Sequence, residues 1–382
     1  MVETLTREQV MAHRIAAQGL HRDRPAAIAA LASLGLQDAG PTARLALAAR
    51  SDGDPDPVAR GLVDGWTHRG APHHHPPDER NAIAAAARPF DDADAAARLN
   101  WSGPEQRRVG IPAREAIDRA ADALAEVVTE PLTKGAASGA VTKLLPDALL
   151  RDCRGCATVH VNEQLFRLSA FPVGVGLDPT GRTLLLIPPP AGWERPVEGD
   201  PGRAARLVLD YLRVLGPAGP REVADFVGTS AAAFAPAWEA ALPGLVEVEV
   251  EAGDGAQRSS TRDVHPAWLP ADELDAALGA PDPDVVRFLP PLDPMLQARD
   301  RPLLVPDEAL RKDLYKIIGN PGALLADGEV VGTWRPRASG KKLTLEVAPV
   351  VPLAPDVRAR LDDEAERVAA ARGLRLAGIT GV

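Results

Sequence analysis

Apolar residues recur at every third or fourth position over most of the chain and alternate with polar ones in only a few short runs. This pattern predicts helices joined by small sheets. Near the start, Thr6 can cap a helix and Gln9 can close the capping box, with Val10, Met11 and Ile15 turned toward a core. Pro25–Leu34 and Thr42–Arg50 follow as second and third helices, and Trp66–His75 then interrupts the regular pattern. Pro112–Val128 presents Ile117, Leu124 and Val127 on one face, and Ser138–Leu145 follows a turn at Gly135. Thr158–Val161, Leu165–Leu168 and Leu184–Ile187 read as strands, although the second could equally begin a helix.

Arg203–Gly216, Pro220–Phe226 and a helix ending at Ala241, capped by Thr229 or Ser230, lead into Leu245–Glu251, which alternates apolar and acidic residues as a strand does. A loop at Gly253–Arg258 then precedes Val264. Ala323–Ala326 and Glu329–Trp334 flank Asp327-Gly328, the signal of a two-residue hairpin turn. Lys342–Val347 is a last strand, and Asp356–Gly373 a terminal helix packing through Val357, Leu361 and Val368. Helices followed by a small hairpin recur along the chain, the order of a winged helix. The expected fold class is therefore α+β, mainly helical. Three tandem winged-helix units at 1–108, 109–200 and 201–280 precede a β-rich segment with a terminal helix at 281–382.

Composition narrows this picture. The chain has 382 residues, enough for several domains, but aromatics make up only 4%, so its cores rest on Leu, Val and Ala. A formal net charge of -10 excludes a nonspecific cationic coat for nucleic acid, while leaving room for a local basic groove. Two cysteines make no secreted disulfide framework. No apolar run reaches membrane-spanning length, and the N-terminus lacks the pattern of a signal peptide, so a cytoplasmic protein is expected.

Five places carry candidate chemistry. Gln37-Asp38 precedes the helix Thr42–Arg50, and these residues read either as a turn that caps the helix or as an amide and a carboxylate able to orient a water. Trp66–His75 offers Arg69 and Gly70 for a phosphate and His73 and His75 on one strand face, against a plain reading as a solvated loop. Cys153-Arg154-Gly155-Cys156 with His160 has half the spacing of a zinc site, against a reading as small buried hydrophobes. Asp293, Arg299, Asp300 and Arg301, with Arg311, Lys312 and Lys316, could rim a DNA surface or form a salt-bridged solvated face. Trp334 could stack a base or close a core.

Three stretches, LPPLDPMLQARDR at 289–301, LVPDEALRKDLYKIIGNPGALLADGEVVGTW at 304–334 and YLRVLGPAGPREVADFVG at 211–228, resemble the winged-helix DNA-binding family that includes crosslink-repair DNA glycosylases acting on bulky alkylated purines. The resemblance implies three tandem winged helices around a concave, DNA-holding surface, a monomer bound to double-stranded DNA, and hydrolysis of the N-glycosidic bond without metal or cofactor. It implies DNA contacts at Arg69, Gly70 and His73. The family carries Gly-Leu-Gln followed one residue later by Gln or Asp. This sequence has Gly35-Leu36-Gln37, but Ala39 stands at the second polar position and the nearest acid is Asp38, so Gln37 and Asp38 are the expected catalytic pair. The competing readings are a noncatalytic DNA-binding regulator or damage sensor, and a small-molecule binder using the concave surface.

Overall fold

The computed structural model describes residues 2–155, 157–251 and 264–382, and the loop expected at Gly253–Arg258 lies outside them. The chain forms two compact units, each assembled from separated segments: Met1–Gly61, Leu209–Glu222 and Gly244–Val382 in the first, Leu62–Val208 and Val223–Pro243 in the second. Among the described residues no helix is long and apolar enough to cross a membrane.

The first unit is built on a sheet in the order Val286–Leu289, Gly322–Ala326, Glu329–Ser339, Lys342–Pro349, Arg375–Thr380. Its first four strands pair antiparallel and the last pair is parallel. A parallel neighbour needs a crossover, which the helix Pro355–Ala371 supplies while burying Val357, Leu361, Ala365 and Val368 in the sheet's core. The Asp327-Gly328 hairpin forms as expected, with both residues left-handed at φ 48° and 89°. Trp334 is 1% exposed, meets Phe288 edge-on and donates its Nε1–H to the Leu289 carbonyl at 2.8 Å, so it closes a core. The strand runs beyond it to Ser339, farther than its apolar pattern reaches, because it continues as a ribbon against Lys342–Pro349. A second sheet places Glu3–Leu5 parallel to Leu245–Glu251, itself antiparallel to Val264–Pro270. The capping box also forms: Thr6 Oγ1 accepts from Gln9 N at 3.2 Å, and Gln9 Oε1 accepts from Thr6 N at 2.9 Å.

In the second unit, Ala113–Val127 buries Ile117 and Leu124 against Leu165 and Phe166 of a helix at Glu163–Ala170. Leu165–Leu168, readable from sequence as a strand or as the start of a helix, is therefore helical. Asn162 caps it by accepting from Leu165 N at 3.1 Å, and burial of Leu165, Phe166, Ser169 and Ala170 follows the helical repeat. The helix expected at Ser138–Leu145 starts earlier, at Lys134, because Thr133 caps it by accepting from Ala136 N. Gly135 and Gly139 lie inside it, where glycine costs about 1 kcal/mol each relative to alanine, and the Thr133 cap and buried Ala137 and Val141 offset that cost. The strands Pro72–His75, Val63–Trp66, Gly176–Asp178, Leu185–Ile187 and Leu132–Thr133 neighbour one another in that order.

Candidate active site

Within the first unit, the chain leaves the helix Pro25–Leu34 through Gly35, buries Leu36 completely, and turns at Gly40, whose φ of 97° favours glycine. Between these lie Gln37 and Asp38, both half-buried. The carboxylate oxygen Oδ1 of Asp38 accepts from Thr42 N at 3.1 Å, Thr42 Oγ1 at 3.0 Å and Ala43 N at 3.3 Å. First-turn N–H groups have no partner inside their own helix, and the helix dipole favours a negative charge there. Asp38 therefore caps Thr42–Arg50 from four residues upstream. Thr42 Oγ1 also accepts from Ala39 N at 2.9 Å, and its single proton serves either Asp38 or the Gln37 carbonyl at 3.2 Å.

The far end of this helix is fixed as well. Arg50 donates to both oxygens of Asp293, at 2.8 and 2.7 Å, and to Gln18 Oε1 at 2.8 Å, with the arginine and aspartate side chains fully buried. Truncating either partner of such a pair strands a buried charge, at a cost of about 3–5 kcal/mol. The helix behind Gln37 and Asp38 is thus held at both termini.

Within the second unit, Trp66–His75 is a hairpin rather than a solvated loop. Val63–Trp66 and Pro72–His75 pair antiparallel, with His73 opposite Gly65 and His74 opposite Asp64. Arg69 and Gly70, at φ 58° and 66°, make the turn, and a Cβ on Gly70 would lie 3.1 Å from Gln164 Oε1. His73 and His75 do share a face, but it is a buried one, and so is the opposite face that carries His74: the three are 1%, 0% and 2% exposed in that order. Thr67 Oγ1 lies 2.9 Å from His73 Nδ1 and 3.1 Å from His75 Nε2, while His73 Nδ1 is also 2.9 Å from the Ala71 carbonyl. Burial, then the neighbouring His68, Arg69 and His75, hold His73 well below the usual imidazole value, so it is neutral. Arg69 lies over the Phe226 ring at 5.0 Å and donates to the Phe226 carbonyl.

The charged stretch at 293–316 divides. Asp293 and Asp300 do not rim a surface. Asp293 is buried on Arg50, and Asp300 accepts at 3.1 and 2.6 Å from Arg14, whose side chain is fully buried. Arg299 is half-buried and donates its backbone N–H to the Tyr211 hydroxyl oxygen at 3.2 Å, while Arg301 stacks on the Tyr315 ring at 4.2 Å. Arg311 donates to the carbonyls of Val305 and Pro306 at 2.6 and 3.0 Å. Lys312 and Lys316 stand outward in ion pairs with Glu308 and Asp313, the salt-bridged arrangement that the charge spacing also allowed.

A family model described as DNA glycosylase AlkZ-like matches residues 28–371. The chain belongs to the AlkZ-like DNA glycosylase family. In fold it is similar to the Streptomyces sahachiroi DNA glycosylase AlkZ, with a TM-score of 0.71 at 19% identity over 97% of this chain and 98% of that one. No curated protein matches the chain in direct comparison. An AlkZ-like glycosylase acts on DNA, so DNA binding comes with the family.

Two supports of the AlkZ-like chain's candidate site were not foreseen from its sequence. Thr42 had a local signal, a threonine opening a helix four residues after an aspartate. The Arg50–Asp293 clamp had none, since 243 positions separate its partners. The zinc reading at Cys153 gains nothing: Cys153 hydrogen-bonds His160 and thereby raises that imidazole's pKa, Cys156 lies outside the described residues, and among the described residues no three His, Cys, Asp or Glu side chains group to hold a metal ion.

Proposed function

We propose that this AlkZ-like protein hydrolyses the N-glycosidic bond of bulky alkylated purines in double-stranded DNA, acting as a cytoplasmic monomer with Gln37 and Asp38 as the reacting pair. The observation that carries the reading is the fixed carboxylate of Asp38, held through one oxygen by three donors beside the half-exposed Gln37. An N7-alkylated purine already carries positive charge, so it leaves as a neutral base and positive charge develops on the sugar. A preorganised carboxylate stabilises that charge without reorganising. The Gln37 amide accepts from and aligns a water, whose oxygen bonds to C1′ as the C1′–N bond breaks and whose proton passes to solvent. Asp38 stands one residue ahead of the family's second polar position. The Thr42 hydroxyl and amide supply a reason why it can serve, because they anchor the carboxylate from the helix side.

The same reading takes 1–108, 109–200 and 201–280 as winged-helix units, with 281–382 closing the chain. Its support is the order of elements. Arg7–Ala17, Pro25–Leu34 and Thr42–Arg50 precede the hairpin Val63–His75, and Pro201–Leu215, Pro220–Val227 and Ala235–Ala241 precede the antiparallel pair Leu245–Glu251 and Val264–Pro270. Between them, the helices Ala113–Val127, Lys134–Leu144 and Glu163–Ala170 precede the antiparallel pair Gly176–Asp178 and Leu185–Ile187. Arg69, Arg299, Arg301, Arg311, Lys312 and Lys316 are the proposed phosphate contacts, Gly70 shapes the turn that carries Arg69, and His73 takes part from within by fixing that hairpin.

The test is base release from a duplex carrying a bulky N7-alkylguanine, with an undamaged duplex alongside. Release from the damaged duplex alone is expected. Tight duplex binding with no release from any purine lesion would make the protein a noncatalytic binder on this scaffold.

A further inference from the structure

We propose that Ile317 and Ile318 form an apolar wedge that enters the base stack of duplex DNA at the lesion or at the gap left by a displaced base. The proposal rests on the DNA-directed function above and adds a second element to it. These side chains are 99% and 86% exposed, whereas every other exposed large hydrophobic of the described residues is at 70% or below. Isolated surface apolar groups are ordinary, but two adjacent isoleucines standing clear of the surface are not.

The segment that holds them is firmly rooted. On one side the helix Glu308–Leu314 buries Leu310 and Leu314, and Tyr315 carries the Arg301 guanidinium on its ring at 4.2 Å. On the other, Gly322 packs so closely that a Cβ there would sit 2.2 Å from Trp334 Nε1 and 2.5 Å from the Leu289 carbonyl. Gly319, left-handed at φ 66° with nothing near its Cβ position, turns the chain between the two roots. The result is a short convex projection on a fixed base.

Charge selects the occupant. From 314 to 326 the only charged residue is Lys316, in a chain whose net charge is -10. From 299 to 322 five cations, at 299, 301, 311, 312 and 316, face four carboxylates, at 300, 307, 308 and 313. Of the four, Asp300 is committed to buried Arg14, exposed Asp307 caps its own helix through the N–H of Leu310, and Glu308 and Asp313 pair on the surface with Lys312 and Lys316. An apolar point beside Lys316, whose half-exposed surface pair with Asp313 is weak enough for a phosphate to compete with, suits a ligand with a charged rim and an apolar interior, which describes a duplex opened at one step. A protein partner fits less well, since a standard interface takes about 800 Å² from each side and a convex pair of side chains offers a small part of that.

The test uses the full chain and a duplex with a tetrahydrofuran abasic analogue, 2-aminopurine being placed beside the gap, so that no catalysis is needed. Wild type is expected to raise 2-aminopurine fluorescence several-fold and to bind the gapped duplex about tenfold or more tighter than the intact one. The Ile317→Ser, Ile318→Ser double variant should lose both effects, and Ile317→Leu with Ile318→Leu should keep them. Wild-type behaviour in the serine variant would overturn the wedge, as would no gap preference in wild type. A dimer in sedimentation that the serine variant dissolves would overturn it too, assigning the tip to a second copy. A fluorescence rise without release of any alkylated base would leave the wedge standing and remove the proposed hydrolysis, so the two can fail separately.

Discussion

The turn at Gln37–Thr42 and the hairpin at Val63–His75 both gather polar side chains around a left-handed glycine, yet they leave those side chains in opposite situations. In the hairpin, His73 and His75 are enclosed and share the Thr67 hydroxyl, and Arg69 is drawn to the Phe226 carbonyl. At the turn, the hydrogen bonds run from backbone N–H groups and one hydroxyl to one oxygen of Asp38, and Gln37 and Asp38 remain partly open. The hairpin has the richer chemistry by residue type, and the turn has the more usable one. Enclosed imidazoles make a rigid polar core, while a half-open carboxylate fixed by a helix N-terminus is a charge already aimed before a ligand arrives.

Substitutions that separate charge from capping break this comparison most sharply. Asp38→Asn keeps an oxygen to accept from Thr42 and Ala43 but removes the charge, so base release should fall by about a hundredfold or more while stability drops by only about 0.3–1 kcal/mol, the share of the helix dipole. Asp38→Ala should add a loss of about 1 kcal/mol in urea unfolding, because the cap goes as well.

Acid should destabilise the protein through its enclosed His13 and His73. His13, buried in the first unit, is lowered to about 4 by burial and then by Arg14 and Arg24, and burial lowers His73 in the second. Both are protonated more readily when unfolded. Stability is therefore full above pH 6.5, the ordinary imidazole value, and is lost as pH falls from there toward 4, by about 3 kcal/mol for His13 alone. Urea unfolding at pH 7.5 and 4.5 checks the sign, and His13→Leu should remove that share and leave the part owed to the hairpin.

Thr67→Val, which deletes the shared hydroxyl, should cost about 2 kcal/mol in the same assay, since two enclosed ring nitrogens lose that partner together. At the small end, Lys312 is paired in the open with Glu308, so Lys312→Ala should change stability by less than about 0.5 kcal/mol. If it contacts phosphate, the same substitution should lower the salt dependence of duplex binding by roughly one unit of slope.

Features carried by adjacent residues were legible in the sequence. The Thr6–Gln9 box, the Asp327-Gly328 turn and the buried positions of Pro355–Ala371 follow from local chemistry and period, and they formed as expected. The hairpin was hidden because a strand written Pro-His-His-His offers no apolar alternation, although all three of its histidines are buried. Asp293 and Asp300 misled because a charge in a proline-punctuated stretch reads as surface. Their partners, Arg50 and Arg14, lie 243 and 286 positions away, and only the folded chain turns those charges inward. At the candidate site, Gly35-Leu36-Gln37 and Asp38 could be named from sequence, whereas the support from Thr42 and the clamp at Arg50 required the structure.

The measurement that bears most directly on this account is single-turnover release of N7-alkylguanine from duplex DNA by wild type and Gln37→Ala, with the thermal midpoint of each recorded. The account predicts release by wild type and a loss of about a hundredfold or more in the variant at an unchanged midpoint. Equal release by the two proteins would contradict it, and would move the attacking water away from the turn at Gln37.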